Sequence, residues 1–202
     1  MRLAGVNVRR KRKYRITIRS NHRYPVSPNL IQGCFRTGKP NLVWVSDITY
    51  IRTAEGWLYL TVVMDLYSRK VVGWSLARNM AVEMVKNALI MAIGRRRPEP
   101  GLIHHSDRGV QYACNDYRRL LQSHGMISSM SRSGNCLDNA VAERFFRTLK
   151  TECLTNWRNM SAQEVRHDIA DYIEMFYNHE RLHSFTGYLS PNDYEKSRMS
   201  LN

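Results

Sequence analysis

The chain has 202 residues, enough for one domain with a buried core and short appendages. With 43% hydrophobic and 24% charged residues it reads as globular, and no uninterrupted apolar run nears the roughly 20 residues that span a bilayer. A net charge of +14, from 31 Lys and Arg against 17 Asp and Glu, favours a polyanionic partner, by default nucleic acid; no basic amphipathic helix with a broad apolar face argues for a membrane surface.

Residues 1–46 contain no acidic residue, and 11 of the basic residues fall within the first 40. The densest run is Arg9, Arg10, Lys11, Arg12 and Lys13. Residues 1–38 are therefore expected to form a basic, partly disordered arm whose one-signed charge suits phosphates. No signal peptide is visible. Cys34, Cys114, Cys136 and Cys153 are scattered without a CxxC pair, as in reduced thiols of a cytosolic protein. The spacing of His104, His105 and Cys114 matches no common structural zinc pattern.

From Val43 the pattern changes. Runs at 43–51, 57–67 and 70–77 are rich in Val, Tyr, Trp, Leu and Thr, with Gly56 and the Ser68-Arg69 pair at the connections. They predict three antiparallel strands joined by hairpins. Val82, Val85, Leu89 and Ala92-Ile93 recur at helical spacing up to Gly94, before a breaker-rich loop at 95–101. A short buried strand at 102–105 then delivers Asp107. A helix at 115–124, stopped by Gly125, leads into a fifth strand at 126–130.

The next helix starts near Ala140, with Asp138 or Asn139 as its cap after a flexible 131–134. Ala142, Phe146, Leu149 and Cys153 make its apolar stripe, while Glu143, Arg147 and Lys150 share another face. A last amphipathic helix is marked by Val165, Ile169, Tyr172-Ile173 and Phe176, and ends before Ser190-Pro191. This order predicts an α/β fold, its sheet mixing three antiparallel and two parallel strands. The expected organisation is a basic arm at 1–38, a catalytic core at 39–158 and a helical extension at 159–202.

If the first and fourth strands are neighbours, Asp47 and Asp107 meet at one edge of the sheet and Glu143 reaches it from the covering helix. Clustered carboxylates repel, and their chemical use is to hold hard divalent cations. Two Mg²⁺ ions about 3.5–4 Å apart clamp the attacking and leaving oxygens of a displacement at phosphorus. Arg147 and Lys150 would then face phosphates rather than solvent. Asp65, in a turn-forming stretch, is read as a hairpin residue, and His105 as a satisfied structural histidine.

The trio has 35 residues between Asp107 and Glu143, and a lysine seven after the Glu. In this it resembles the DDE core of retroviral integrases and bacterial insertion-sequence transposases. The words Trp44-Val45-Ser46-Asp47-Ile48-Thr49-Tyr50, His105-Ser106-Asp107-Arg108-Gly109 and Ala142-Glu143-Arg144-Phe145-Phe146-Arg147 are similar to the second-frame product of two-frame insertion sequences. So are Tyr177-Asn178-His179-Glu180-Arg181-Leu182-His183 and Gly187-Tyr188-Leu189-Ser190-Pro191.

The resemblance implies a ribonuclease-H-like fold and metal-dependent strand cleavage and transfer at transposon ends. Asp47, Asp107 and Glu143 would ligate two Mg²⁺ (or Mn²⁺) ions. Asn139, Arg147 and Lys150 would touch DNA, as would the basic arm. Transposon ends and a target duplex, a homo-oligomer on DNA and a first-frame helix-turn-helix partner are the implied partners, in the bacterial cytoplasm. Two departures stand out: the chain begins inside the family's longer N-terminal region, and Leu182 stands where proline is common. The first keeps a second reading open, a shortened DNA-binding product that modulates a full-length transposase.

Overall fold

The computed structural model describes residues 22–132 and 136–199. The run Arg9 to Lys13 lies outside them. Five strands, β1 (Val43–Thr53), β2 (Gly56–Asp65), β3 (Val71–Ala77), β4 (Ile103–Ser106) and β5 (Ile127–Met130), form one sheet in the order β3-β2-β1-β4-β5. β1, β2 and β3 pair antiparallel, whereas β4 and β5 run parallel to β1. The mixed sheet expected from the sequence is the one found.

Strand alternation divides the apolar residues between two cores. Val45 and Ile51 of β1, with Leu58, Leu60, Val62 and Met64 of β2, face α4 (Ala140–Glu152) and α5 (Ala162–Asp171). Trp44 and Val63 face the other way, onto α1 (Val82–Arg96), α2 (Val110–Ala113) and α3 (Asn115–Ser123). Gly73 of β3 permits the closest approach on that side. A Cβ there would overlap Ala88 O and stand 2.8 Å from the Ala92 nitrogen.

Several local expectations change. Neither Asp138 nor Asn139 caps α4 through its side chain. Asp138 is buried and instead accepts from the backbone N–H of Arg132 at 2.9 Å and from its guanidinium at 3.0 and 3.1 Å. That ion pair holds its carboxyl down at about 2. Residues 136–139 form a 3-10 turn leading into the helix. Phe145 joins Ala142, Phe146 and Leu149 as a buried residue of α4, while Cys153 is only half-buried.

After α5 the helix widens into a π turn, Tyr172–Tyr177, in which the Asn178 N–H reaches back five residues to Ile173 O at 3.3 Å. The extra residue rotates the following face by one position. Tyr177 is buried and Phe176 is 40% exposed, the reverse of a strict 3.6-residue period. Beyond it, α6 (Pro191–Met199) opens with proline at its first turn.

Two docking arrangements complete the domain. Pro28 O accepts from the Met130 N–H at 3.3 Å and the Leu30 N–H donates to Ser129 Oγ at 2.9 Å, so residues before β1 cover the β5 edge. On α6, Glu195 is buried and accepts from Arg96 at 2.8 and 3.0 Å and from Ser68 Oγ at 2.7 Å. Asp65 belongs to the same cluster. Its oxygens accept the Asn41 and Tyr67 N–H groups at 2.8 and 2.9 Å, and Arg96 stands 3.3 Å away. Asp65 is thus a buried turn residue of the β2–β3 connection.

Candidate active site

β1 and β4 are in register from Val43 opposite Ile103 to Val45 opposite His105. Two more steps along the same register set Asp47 beside Asp107, which lies just past the carboxyl end of β4. Alternation puts Asp47 on the face of Val45 and Ile51, the face that α4 covers. Both aspartates are half-buried. One backbone N–H fixes each: Ile48 to Asp47 Oδ1 at 2.8 Å, and Gly109 to Asp107 Oδ1 at 2.7 Å. A Cβ on residue 109 would stand 2.9 Å from the same oxygen and would push the carboxylate aside. Sequence reading passed over Gly109; the Asp-x-Gly spacing was its signal.

The electrostatics report the crowding. Burial raises the Asp47 carboxyl well above its ordinary range, and the charges of Asp107 and then Glu143 push it further up, against the Ile48 N–H and Lys150. Asp107 is raised by burial, against the Gly109 N–H. Glu143, exposed in the first turn of α4, is raised by partial desolvation and lowered by Arg147. Asp47 and Asp107 are therefore the near pair and Glu143 the looser third. No three His, Cys, Asp or Glu among the described residues stand close enough to share one ion.

Arg147 is exposed, as its expected role requires. Lys150 instead reaches back to β1, where its ammonium donates to Thr49 Oγ1 at 2.7 Å and lies 5.1 Å from the Tyr50 ring. Burial lowers it while the nearby Asp47 raises it. Thr49, not singled out by sequence, is what holds this cation beside the aspartates. Asn139 is buried, and its amide donates to Ser46 O at 3.3 Å. Its Oδ1 is left without a donor among the described residues.

The histidines beside Asp107 are structural. His105 binds Ser129 Oγ at 2.8 Å and Ser131 Oγ at 3.2 Å, and burial lowers it to about 4. His104 binds the Tyr117 hydroxyl at 3.0 Å, and burial lowers it to about 3. Both rings are neutral at pH 7.

Solved structures place this architecture. The chain matches one in an intasome of simian T-cell lymphotropic virus in complex with PP2A regulatory subunit B56 gamma, at 20% identity and a TM-score of 0.62, over 80% of this chain and 55% of that one. It also matches the HTLV-2 integrase catalytic core solved with magnesium, at 16% identity and a TM-score of 0.60, over 79% of this chain and 99% of that one. The fold is ribonuclease-H-like, that of retroviral integrase catalytic cores.

Sequence relatives narrow it. A family model described as an integrase core domain matches residues 38–136, and a second of the same description matches 124–191. An uncharacterized 31 kDa protein of insertion element IS600 from Shigella sonnei is 48% identical over 91% of this chain and 67% of its own length. Transposase InsF for insertion sequence IS3A of Escherichia coli (strain K12) is 42% identical over 99% of this chain and 69% of its own length. The chain belongs to the insertion-sequence transposases of the DDE, integrase-core type.

Proposed function

We propose that this chain cuts and joins DNA strands at insertion-sequence ends by metal-assisted transesterification, with Asp47, Asp107 and Glu143 as the metal ligands. The observation that carries this is the aspartate pair, one within β1 and one just past the end of the parallel β4, with a third carboxylate on the helix covering that face. The donor set is all oxygen, which suits Mg²⁺ or Mn²⁺, and two ions per site is the expected number. The fit also rests on charge: Asp47 is raised by both neighbouring carboxylates, a repulsion that a divalent cation relieves.

Bound there, a divalent cation supplies Lewis acidity and lowers the pKa of an attacking water or 3′-hydroxyl. The chain's own residues do the positioning. Ile48 and Gly109 hold the two aspartates through their N–H groups, and Glu143 on α4 would supply the third carboxylate. Lys150, anchored on Thr49, and Arg147, exposed one turn after Glu143, meet the phosphates that flank the scissile bond. Asn139 contacts the strand beside them, and Arg9, Arg10, Lys11, Arg12 and Lys13 add affinity without sequence choice. Transposon ends and a target duplex are the substrates, and a homo-oligomer with a first-frame helix-turn-helix partner is the working assembly, in the bacterial cytoplasm.

Incubation of the protein with an element-end duplex, a target duplex and Mg²⁺ tests the reading. Joined product is expected. Cleavage without joining would make the chain a nuclease. Binding without either would favour the second reading, a DNA-binding modulator of a full-length transposase.

A further inference from the structure

A pocket of about 470 Å³ opens on the other side of α4 from Glu143, between that helix, the Arg181–Phe185 loop and the β2–β3 turn. Its volume is that of a small-ligand site. The polar atoms within it are unbalanced. Arg69, held in the turn at φ 66 and only 8% exposed, donates one NH2 bond to Phe35 O at 2.8 Å, while its NH1 is buried with no partner among the described residues. Its guanidinium lies 3.7 Å from the Phe185 ring centre. Burial lowers it to about 10, so it is charged at pH 7.

His183 supplies a second lone donor. Its Nδ1 stands 3.4 Å from the Arg181 guanidinium, which can only donate, so Nδ1 accepts and the proton sits on Nε2. That Nε2 is buried with no partner among the described residues. Burial and the surrounding arginines lower His183 to about 4, so the ring is neutral. Arg144 lines the rim and is exposed. Arg181 is occupied by a bidentate pair with Glu152 at 2.7 and 2.8 Å. Both unpartnered atoms are donors, and among the described residues no carboxylate lines the pocket. A water could take one hydrogen bond, but it would not neutralise Arg69 and Arg144. Met64, Val141 and Phe145 add apolar surface to the wall, beside the hydroxyl-bearing Thr148, Tyr177 and Ser184.

Cations, orphan donors and apolar side chains around one pocket match a phosphate carrying a flat ring. We infer that this pocket receives an unpaired nucleotide of the bound DNA strand, its phosphate between Arg69 and Arg144 and its base against Val141 and Phe145. The inference extends the proposed function: Arg144 follows Glu143 on α4, so one helix presents the carboxylate to the scissile bond and the arginine to a displaced neighbour.

Titration calorimetry of the full chain in EDTA, with dAMP, deoxyadenosine and inorganic phosphate, reads binding without chemistry, so a failed joining assay does not decide it. dAMP should bind wild type and Glu143→Gln alike, and Arg144→Gln about tenfold more weakly, the loss of one charge-assisted bond. Deoxyadenosine should not bind measurably. Phosphate binding as tight as dAMP, wild-type affinity in Arg144→Gln, loss of binding in Glu143→Gln, or no dAMP binding would each overturn the site. A duplex with a 2-aminopurine overhang distinguishes strand from free nucleotide: its fluorescence should change on wild type, and on Arg144→Gln only at about tenfold higher protein concentration. An unchanged signal on wild type would overturn the strand assignment.

Discussion

Replacing Asp47 by Asn should stabilise the free protein. Adjacent strands lie about 4.8 Å apart, and the β1–β4 register continued by two residues sets Asp47 beside Asp107, so that spacing serves as the scale for the two like charges. Their repulsion is about 3.5 kcal/mol at an effective dielectric near 20 and about 0.9 kcal/mol in bulk water. For half-buried groups about 1–3 kcal/mol is a fair bracket, or roughly 2–12 °C in melting temperature for a domain of this size. Asparagine keeps an oxygen for the Ile48 N–H, so little else is lost. The sign of the pH dependence follows from the raised carboxyl. Such a group contributes stability that is complete below its unfolded pKa, about 3.9, and is lost as pH rises through its folded value. In EDTA, wild type should therefore fall behind Asp47→Asn as pH rises from about 4 towards neutrality, and the two should converge at the acid end. Added Mg²⁺ should raise wild type and leave the variant unmoved. Scanning calorimetry at several pH values reads all of this. A variant less stable than wild type at neutral pH, or a gap that does not close in acid, would refute the account of the pair.

Three further outcomes are expected. Gly73→Ala forces β3 from α1 and should cost about 1–3 kcal/mol, read as a lower denaturant midpoint. Glu195→Gln leaves Arg96 with Asp65 as its carboxylate and weakens its tie to α6, and should cost about 1–3 kcal/mol in urea unfolding. Lys150→Ala should leave Mg²⁺ affinity intact in calorimetry while slowing single-turnover joining, and it should raise the Asp47 carboxyl further by removing its neighbouring cation.

Much of the fold was legible in the sequence because it is local. The β-branched runs at 43–77 with Gly56 at a turn specify a hairpin sheet through side-chain alternation alone, and the same alternation assigns Asp47 to the face that α4 covers. Asp107 at a strand end was legible for the same reason. What escaped depends on tertiary partners. Asp138 looked like a cap but is taken by Arg132, whose charged donors outbid the helix N–H groups. The π turn at Tyr172–Tyr177 leaves no periodicity signal until packing selects Tyr177 over Phe176. Lys150 was read along its own helix, so its bond to Thr49, 101 residues away, was invisible. The Arg69 pocket draws on β2, α4 and the segment after Tyr177, which no single window contains.

The central claim is that Glu143 completes the metal set with Asp47 and Asp107, and single-turnover joining of a pre-cut element end by Glu143→Gln in Mg²⁺ tests it most directly. Glutamine keeps the shape and the helix but lacks the charge. Joining should fall to background while the variant binds the end duplex as wild type does. Joining near the wild-type rate would contradict the assignment.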